Sequence, residues 1–302
     1  MHPNKIKQLV IKEYDSPDAQ KSYNKIIEEG LFASEKHFIG KYFKKKGKVL
    51  DIGCGTGRAS IPLQKMRHNV VGIDIVPSMI ENAKKISKKI KYEVGDATQL
   101  KFKDNSFNSA IFTYQGWTKI PGRENRRKAI TETYRVLKKD GIFILTMRRR
   151  VWAGRKFPFW LWRWIRFFVL KRLGFRIWEE DFGDVRWKNK SFVKWVKTFI
   201  LKPMGFEIEG NYGRYGADQY YHTASLKEVG MELRRAGFKI LEVNNKFERL
   251  PNQKSNIYSP YFWVCLKGNN LVDSIANKSK FTQKDVDELS KLVKKGIAKN
   301  HQ

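Results

Sequence analysis

Cysteine is nearly absent from this chain: Cys54 and Cys265 are the only two in 302 residues, and they stand far apart. Two isolated thiols build neither a disulfide framework nor a metal cluster, so a reducing, cytoplasmic setting with no bound metal is expected. Acidic residues are scarce as well, 30 Asp and Glu against 61 Lys and Arg. The net charge of +31 points to a polyanionic partner, an RNA, a DNA or an anionic membrane surface, unless the basic residues only form a solvated face. Long apolar runs are missing too, so no spanning helix is expected. The opening MHPNKIKQLV is too polar for a signal peptide.

What is there reads as a folded domain. Residues 48–147 alternate short β-type runs with helical stretches, a pattern that predicts a parallel sheet flanked by helices. The strand candidates are KVLDI (48–52), VVGID (70–74), KYEV (91–94), NSAIFT (108–113) and IFILTM (142–147). Helices are expected over 78–89 and 123–139, the second with Ile130, Tyr134 and Leu137 at helical spacing and a stop at Asp140-Gly141. After Met147 the alternation breaks. Residues 148–202 hold seven of the nine Trp and sixteen Lys and Arg against four acids, which marks them as a separate insertion. The pattern then returns, with an amphipathic helix through Leu226, Val229, Leu233 and Ala236 and strands at 238–243 and 261–266. The chain therefore divides into residues 1–147, an insertion 148–221, a closing unit 222–268 and a tail 269–302. The tail is expected to hold one more helix, with Thr282 as its N-cap.

VLDIGCGTG (49–57) is a buried strand running into a glycine-rich turn, where Gly53, Gly55 and Gly57 let a ligand lie against the main chain. The spacing is G-x-G-x-G, unlike the dinucleotide fingerprint. Asp51 adds a carboxylate that suits a cationic amino group better than a pyrophosphate. Asp74 ends the second strand, where a carboxylate accepts bonds from both ribose hydroxyls, and Asp96 after the third is placed to accept from an adenine amine.

These motifs resemble the class I S-adenosylmethionine-dependent methyltransferases of the broad type 11 group, over roughly residues 40–147 and 220–267. VVGIDIVPSMI, YEVGDATQLKFKDNSFNSAIFTY and SLKEVGMELRRAGFKILEV are similar to the family's later motifs. Asn108, where the family commonly has Asp, and Lys139-Asp140, where it has a Gly-containing turn, depart from the pattern. The resemblance implies an α/β, Rossmann-like seven-stranded sheet with its last strand antiparallel, helices on both faces and an aromatic, basic lid after the fifth strand. It also implies S-adenosyl-L-methionine as cofactor. Asp51, Gly53, Cys54, Gly55 and Gly57 would surround its methionine part, Asp74 and Ile75 its ribose, Asp96 and Ala97 its adenine. Thr113 and Tyr114 would pass beneath the sulfonium.

Methyl transfer needs chiefly an in-line approach, with a base only for a protonated acceptor. Tyr114 and His222 are the candidate catalytic groups, and Trp117 a candidate pocket wall. FGDVRW (182–187) and YGADQYYHTASLKEV are loosely similar to the lid of methyltransferases acting on the wobble uridine of tRNA. That similarity would put Asp184, Arg186, Tyr221 and His222 at the acceptor and sets RNA, as tRNA, ahead of a lipid or quinone-like amphiphile. A cofactor-binding RNA module that transfers no methyl is the reading from a different class. PFWLWRWIRFFVLKRLGF (158–175) leaves three readings open: a lid helix over 159–173 that packs its apolar face inward and snorkels Arg163 and Arg166 outward, an interfacial membrane helix, or an RNA-stacking surface.

Overall fold

The computed structural model describes residues 3–150, 157–175, 177, 181–187, 218–244 and 261–268. Three helices open the chain, α1 (Pro3–Asp15), α2 (Pro17–Ile26) and α3 (Ala33–Tyr42). Then β1 (Lys48–Ile52), α4 (Ser60–Lys65), β2 (Asn69–Asp74), α5 (Pro77–Ile86), β3 (Lys91–Val94) and β4 (Phe107–Phe112) follow. A 3-10 turn (Gly116–Lys119) leads into α6 (Arg123–Val136) and β5 (Leu137–Met147). After the insertion come α8 (Leu226–Arg235), β8 (Phe238–Asn244) and β9 (Tyr261–Lys267). The insertion itself carries α7 (Phe157–Trp164), β6 (Asp184–Trp187) and β7 (Gln219–His222).

Seven of these strands form one sheet in the order β3-β2-β1-β4-β5-β9-β8. β9 runs antiparallel to both neighbours and β1 to β5 run parallel, the mixed sheet expected for this class. Parallel strands bury both faces, and alternate residues show it. Leu50, Val71, Ala110 and Phe143 face α6 and α8, whereas Val49, Val70, Ile111 and Ile144 face α3, α4 and α5. α8 starts on a capping box: Ser225 Oγ accepts from Glu228 N while Glu228 accepts from Ser225 N.

The helix expected to run to Lys139 stops at Val136. Leu137 is buried and already pairs with Phe107 at the start of β5. The Lys267 ammonium donates to the carbonyls of Arg135 and Leu137, so the last helical carbonyls bond a side chain from β9 instead of another turn. The expected tail helix and its Thr282 cap lie outside the described residues, as do 188–217.

The insertion is anchored by a buried guanidinium. Arg126, on α6 and 2% exposed, donates to Asp181 Oδ2 at 2.7 Å, to the Tyr220 hydroxyl at 3.1 Å and to the Ile120 carbonyl at 3.0 Å. Asp184, buried at the start of β6, accepts from the Tyr220 hydroxyl at 2.7 Å and from His222 Nδ1 at 2.9 Å. β6 and β7 pair antiparallel across this knot, Asp184 opposite His222. A Cβ on Gly183 would run into the Thr223 carbonyl, so glycine is required where the hairpin crosses the sheet domain.

The 159–173 segment departs from its expected form in two ways. It is α-helical only to Trp164 and continues as a π-helical stretch, Ile165–Leu170. Its faces are also inverted. Arg163 is buried and donates to the Asp184 carbonyl, with Trp160, Phe182 and Val185 packed beside it, while Trp162 and Trp164 point outward. The Asp184 carbonyl takes this bond although burial and the Arg166 charge push the Arg163 pKa down, a tertiary contact that the helical period alone does not reveal. No helix among the described residues is long and apolar enough to cross a membrane.

Asp184→Ala leaves Arg126 buried with half its carboxylate partners. It is expected to cost about 3–5 kcal/mol, with faster hydrogen exchange concentrated in β6 and β7. Unchanged exchange there would show that the hairpin is held elsewhere.

Candidate cofactor pocket

The carboxyl ends of β1, β2, β3 and β4 open on one side into a cleft with a cavity of about 230 Å³. Gly53 and Gly55 line it, both at positive φ (+65° and +54°), conformations that side chains strain to adopt. A Cβ on Gly53 would sit 3.0 Å from the Phe112 ring, and one on Gly55 3.4 Å from Tyr23. The loop backbone is therefore bare toward the cleft. Gly57 serves otherwise: a Cβ there would meet the Tyr92 hydroxyl, so this glycine answers to packing behind the loop.

Asp74 holds the loop and faces the cleft. Its two carboxylate oxygens accept from Gly55 N at 2.9 Å and Val76 N at 3.0 Å, which fixes the rotamer and leaves lone pairs for further donors. Burial raises its pKa above the ordinary carboxylate value. Asp96 stands at the far end, bonded to Thr98 N and Oγ1 at 2.8 Å and ion-paired with Lys7 of α1 at 2.6 Å. Burial pushes its pKa up, but the Lys7 and Thr98 bonds outweigh that and hold it below the ordinary value. Ile75, Ala97, Thr113 and Tyr114 complete this wall.

A ligand with a ribose diol, an exocyclic amine and a zwitterionic tail suits this donor set, since the cleft offers two carboxylates and an uncovered glycine backbone. S-adenosyl-L-methionine fits that description. Asp74 and Asp96 would hold its diol and its adenine edge, and the Gly53–Gly55 backbone its amino-acid end.

Two expected cofactor contacts stand behind the wall. Asp51 is buried and accepts from Ser60 Oγ at 2.6 Å, and burial pushes its pKa up to about 7 despite that bond. Cys54 is buried too, with its thiol raised well above the ordinary value by burial. Neither lines the cleft.

On the opposite side, Tyr14 of α1 and Tyr23 of α2 meet edge-to-face at 5.5 Å, and Tyr23 meets Tyr114 the same way at 6.0 Å. Tyr114 and Gln115 both lie at positive φ, +52° and +65°, two strained residues in succession at the cleft mouth. Gln115 N donates to Thr146 Oγ1 at 2.8 Å and Arg148 Nε to the Gln115 side chain at 3.0 Å, so β5 and its exit maintain the turn. Arg58, paired twice with buried Glu35 (2.6 and 2.7 Å), lies under the rings of Phe32 and Tyr114. Lys7, Tyr14, Tyr23 and Lys119 are lining residues that sequence reasoning missed. The first three sit on helices without a motif, and only their fold-back over the sheet brings them in.

The expected acceptor residues gather elsewhere. His222 is 2% exposed, outside the cleft, and its pKa is pushed down by burial and by the Arg126 charge. Because Asp184 is held well below the ordinary carboxylate range, it accepts, and Nδ1 of a neutral His222 carries the proton. His222 thus braces the insertion in this conformation and does not line the cleft. Trp117 is buried, with Nε1 donating to the Arg126 carbonyl. Arg186 pairs with Asp218 at 2.7 Å, and Tyr221 packs under the Arg148 guanidinium at 4.4 Å. Of the catalytic pair, Tyr114 alone faces the cleft.

Asp51 yields a pH prediction. A folded pKa near 7 against an ordinary 3.8 means that the folded state keeps a proton the unfolded chain gives up between about pH 4 and 7. Stability is lost as pH rises through that window. Asp51→Asn removes this loss, so the variant's advantage over the native chain should grow by a few kcal/mol, order of magnitude, from pH 5 to pH 8. Urea midpoints at both pH values measure it, and equal differences would refute a proton on Asp51.

Comparison with known proteins agrees with this geometry. Residues 50–145 match the family described as "Methyltransferase domain". An uncharacterized protein of Methanocaldococcus jannaschii is 37% identical over 147 residues, 48% of this chain and 55% of that protein. A demethylmenaquinone methyltransferase of Thermotoga maritima is 32% identical over 126 residues, 40% of this chain and 53% of that protein. The chain thus spans about half the length of the curated relatives it matches. Among solved structures, a SAM-dependent methyltransferase of Methanosarcina mazei superposes with a TM-score of 0.57 at 21% identity, over 79% of this chain and 99% of that one. Residues 50–145 thus match a methyltransferase domain, and the sheet that carries them has the fold of that solved SAM-dependent methyltransferase.

Proposed function

We propose that this protein transfers a methyl group from S-adenosyl-L-methionine to an amphiphilic acceptor that enters on the tyrosine side of the cleft. The observation that carries the first half is the convergence of Asp74, Asp96 and the bare Gly53–Gly55 backbone on one cavity at the ends of consecutive strands. The cofactor supplies an electrophilic methyl on a sulfonium. The protein's part is to position the two reactants in line and to exclude water. Tyr14, Tyr23 and Tyr114 offer π faces that attract a cationic centre, and hydroxyls able to orient an acceptor oxygen or nitrogen. No imidazole among the described residues lines the cleft.

The basic composition favoured RNA, yet the cleft supports an amphiphile better. Its two lysines are already ion-paired, Lys7 with Asp96 and Lys119 with Glu13 at 2.9 Å, so neither is a ready phosphate partner. Its remaining walls are largely apolar and tyrosyl. The relative named for demethylmenaquinone points the same way.

Calorimetry with the methyl donor should give binding that Asp74→Ala weakens at least ~tenfold, about 1.4 kcal/mol. Unaltered affinity would refute the pocket assignment. Incubation with labelled donor and separate tRNA and lipid extracts should place label in the lipid. Label in tRNA alone would return the acceptor to RNA, and none in either would support a binding module without transfer.

A further inference from the structure

We infer that the outer face of α7 and the π-helical stretch after it is a docking surface for an anionic lipid bilayer. Soluble proteins seldom expose contiguous apolar side chains over a large patch. Here Leu161, Trp162, Trp164, Phe168, Leu173 and Phe175 are all exposed within fifteen residues, Trp162 at 57% and Leu173 at 68%. Outside this segment, the described residues expose few large apolar side chains.

The occupant follows from charge and side-chain type. Between Asp140 and Glu179 the sequence has no acid, while it has ten Lys and Arg, Lys171 and Arg172 of them exposed at the end of the segment. A patch of Trp, Phe and Leu beside cations suits acyl chains and anionic headgroups together. Unpaired RNA bases would use the aromatic rings but not Leu161, Val169 or Leu173, which have no π face to stack on. Fourteen helical residues, Phe157–Leu170, reach about 21 Å at 1.5 Å per residue, too short to cross a bilayer core and suited to lying in its plane. The inversion of the segment is what makes the surface. Arg163 and Trp160 are turned inward onto β6 and Phe182, so the helix is fastened through them and Trp162 and Trp164 remain outside.

This inference deepens the amphiphile reading and rests on it for its purpose: a domain seated on a bilayer meets an acceptor that partitions into lipid. The binding itself is measured without turnover. The full chain is floated with phosphatidylcholine vesicles, with and without phosphatidylserine, and with tRNA as a competing ligand. Binding to the anionic vesicles, falling at least ~tenfold in a Trp162→Glu/Leu173→Glu double variant with unchanged thermal melting, is expected. Brominated lipids should quench the tryptophan fluorescence of the native chain. No flotation, flotation undiminished in the variant, or loss of tRNA binding in place of vesicle binding would overturn the inference. Donor calorimetry on the same variant separates the outcomes, because unchanged donor affinity leaves the methyltransferase reading standing even if docking fails.

Discussion

The insertion's hold on the sheet domain depends on where the charge of Arg126 goes. A guanidinium 2% exposed on α6 is tolerable only with anionic partners and filled donor positions. Both carboxylates that meet it, Asp181 and Asp184, come from the insertion, and Tyr220 from its second strand closes the set. The dependence runs both ways. Bonds and charges from His222, Arg126 and Tyr220 hold the Asp184 carboxyl below its ordinary range despite burial, and moving the β6–β7 hairpin elsewhere would abandon a buried charge. The spacing Asp181-Phe182-Gly183-Asp184 follows from this. The two acids must flank Arg126, and the residue between them must be glycine to pass the Thr223 carbonyl.

The cleft obeys a different constraint, the shape of the backbone. Two glycines at positive φ, and then Tyr114 and Gln115 in the same region without being glycine, bend both walls so that peptide groups and one tyrosine face a ligand. Glycine bears this at little cost. The strain at Tyr114 and Gln115 is held by Thr146 and Arg148, so the end of β5 serves the site without touching it. The start of the insertion is thereby linked to the mouth of the cleft through Arg148, the same residue that covers Tyr221.

Much of this is legible in the sequence, and the differences have physical causes. The strand segments and the placement of Gly53, Gly55, Asp74 and Asp96 at their ends follow from runs whose period and turn residues are local, whereas the order of the strands in the sheet does not. Asp51, Cys54 and Gly57 share the motif with Gly53 and Gly55 but do not line the cleft. A strand's alternation sends Asp51 behind the sheet, and the loop turns Gly57 onto Tyr92. His222 and Asp184 drew a functional reading from their residue types, which are equally those of a buried ion network. Tyr14, Tyr23 and Lys7 gave no signal because their place in the cleft is a matter of tertiary contact alone.

The 158–175 segment shows the same limit in its strongest form. Helical periodicity divides a sequence into two faces, but the rule that the apolar face turns inward assumes a core of ordinary polarity. Here a backbone carbonyl of β6 lies within reach of the segment, and Arg163 turns in to bond it even though burial disfavours its charge. Trp160 fills an apolar niche against Phe182 and Val185, Phe167 packs partly against it, and Trp162, Trp164 and Phe168 stay outside. A knot that evolved to hold an insertion onto a sheet thus fixes which way a helix faces. The hydrophobic side left outward is a consequence of where two aspartates had to be.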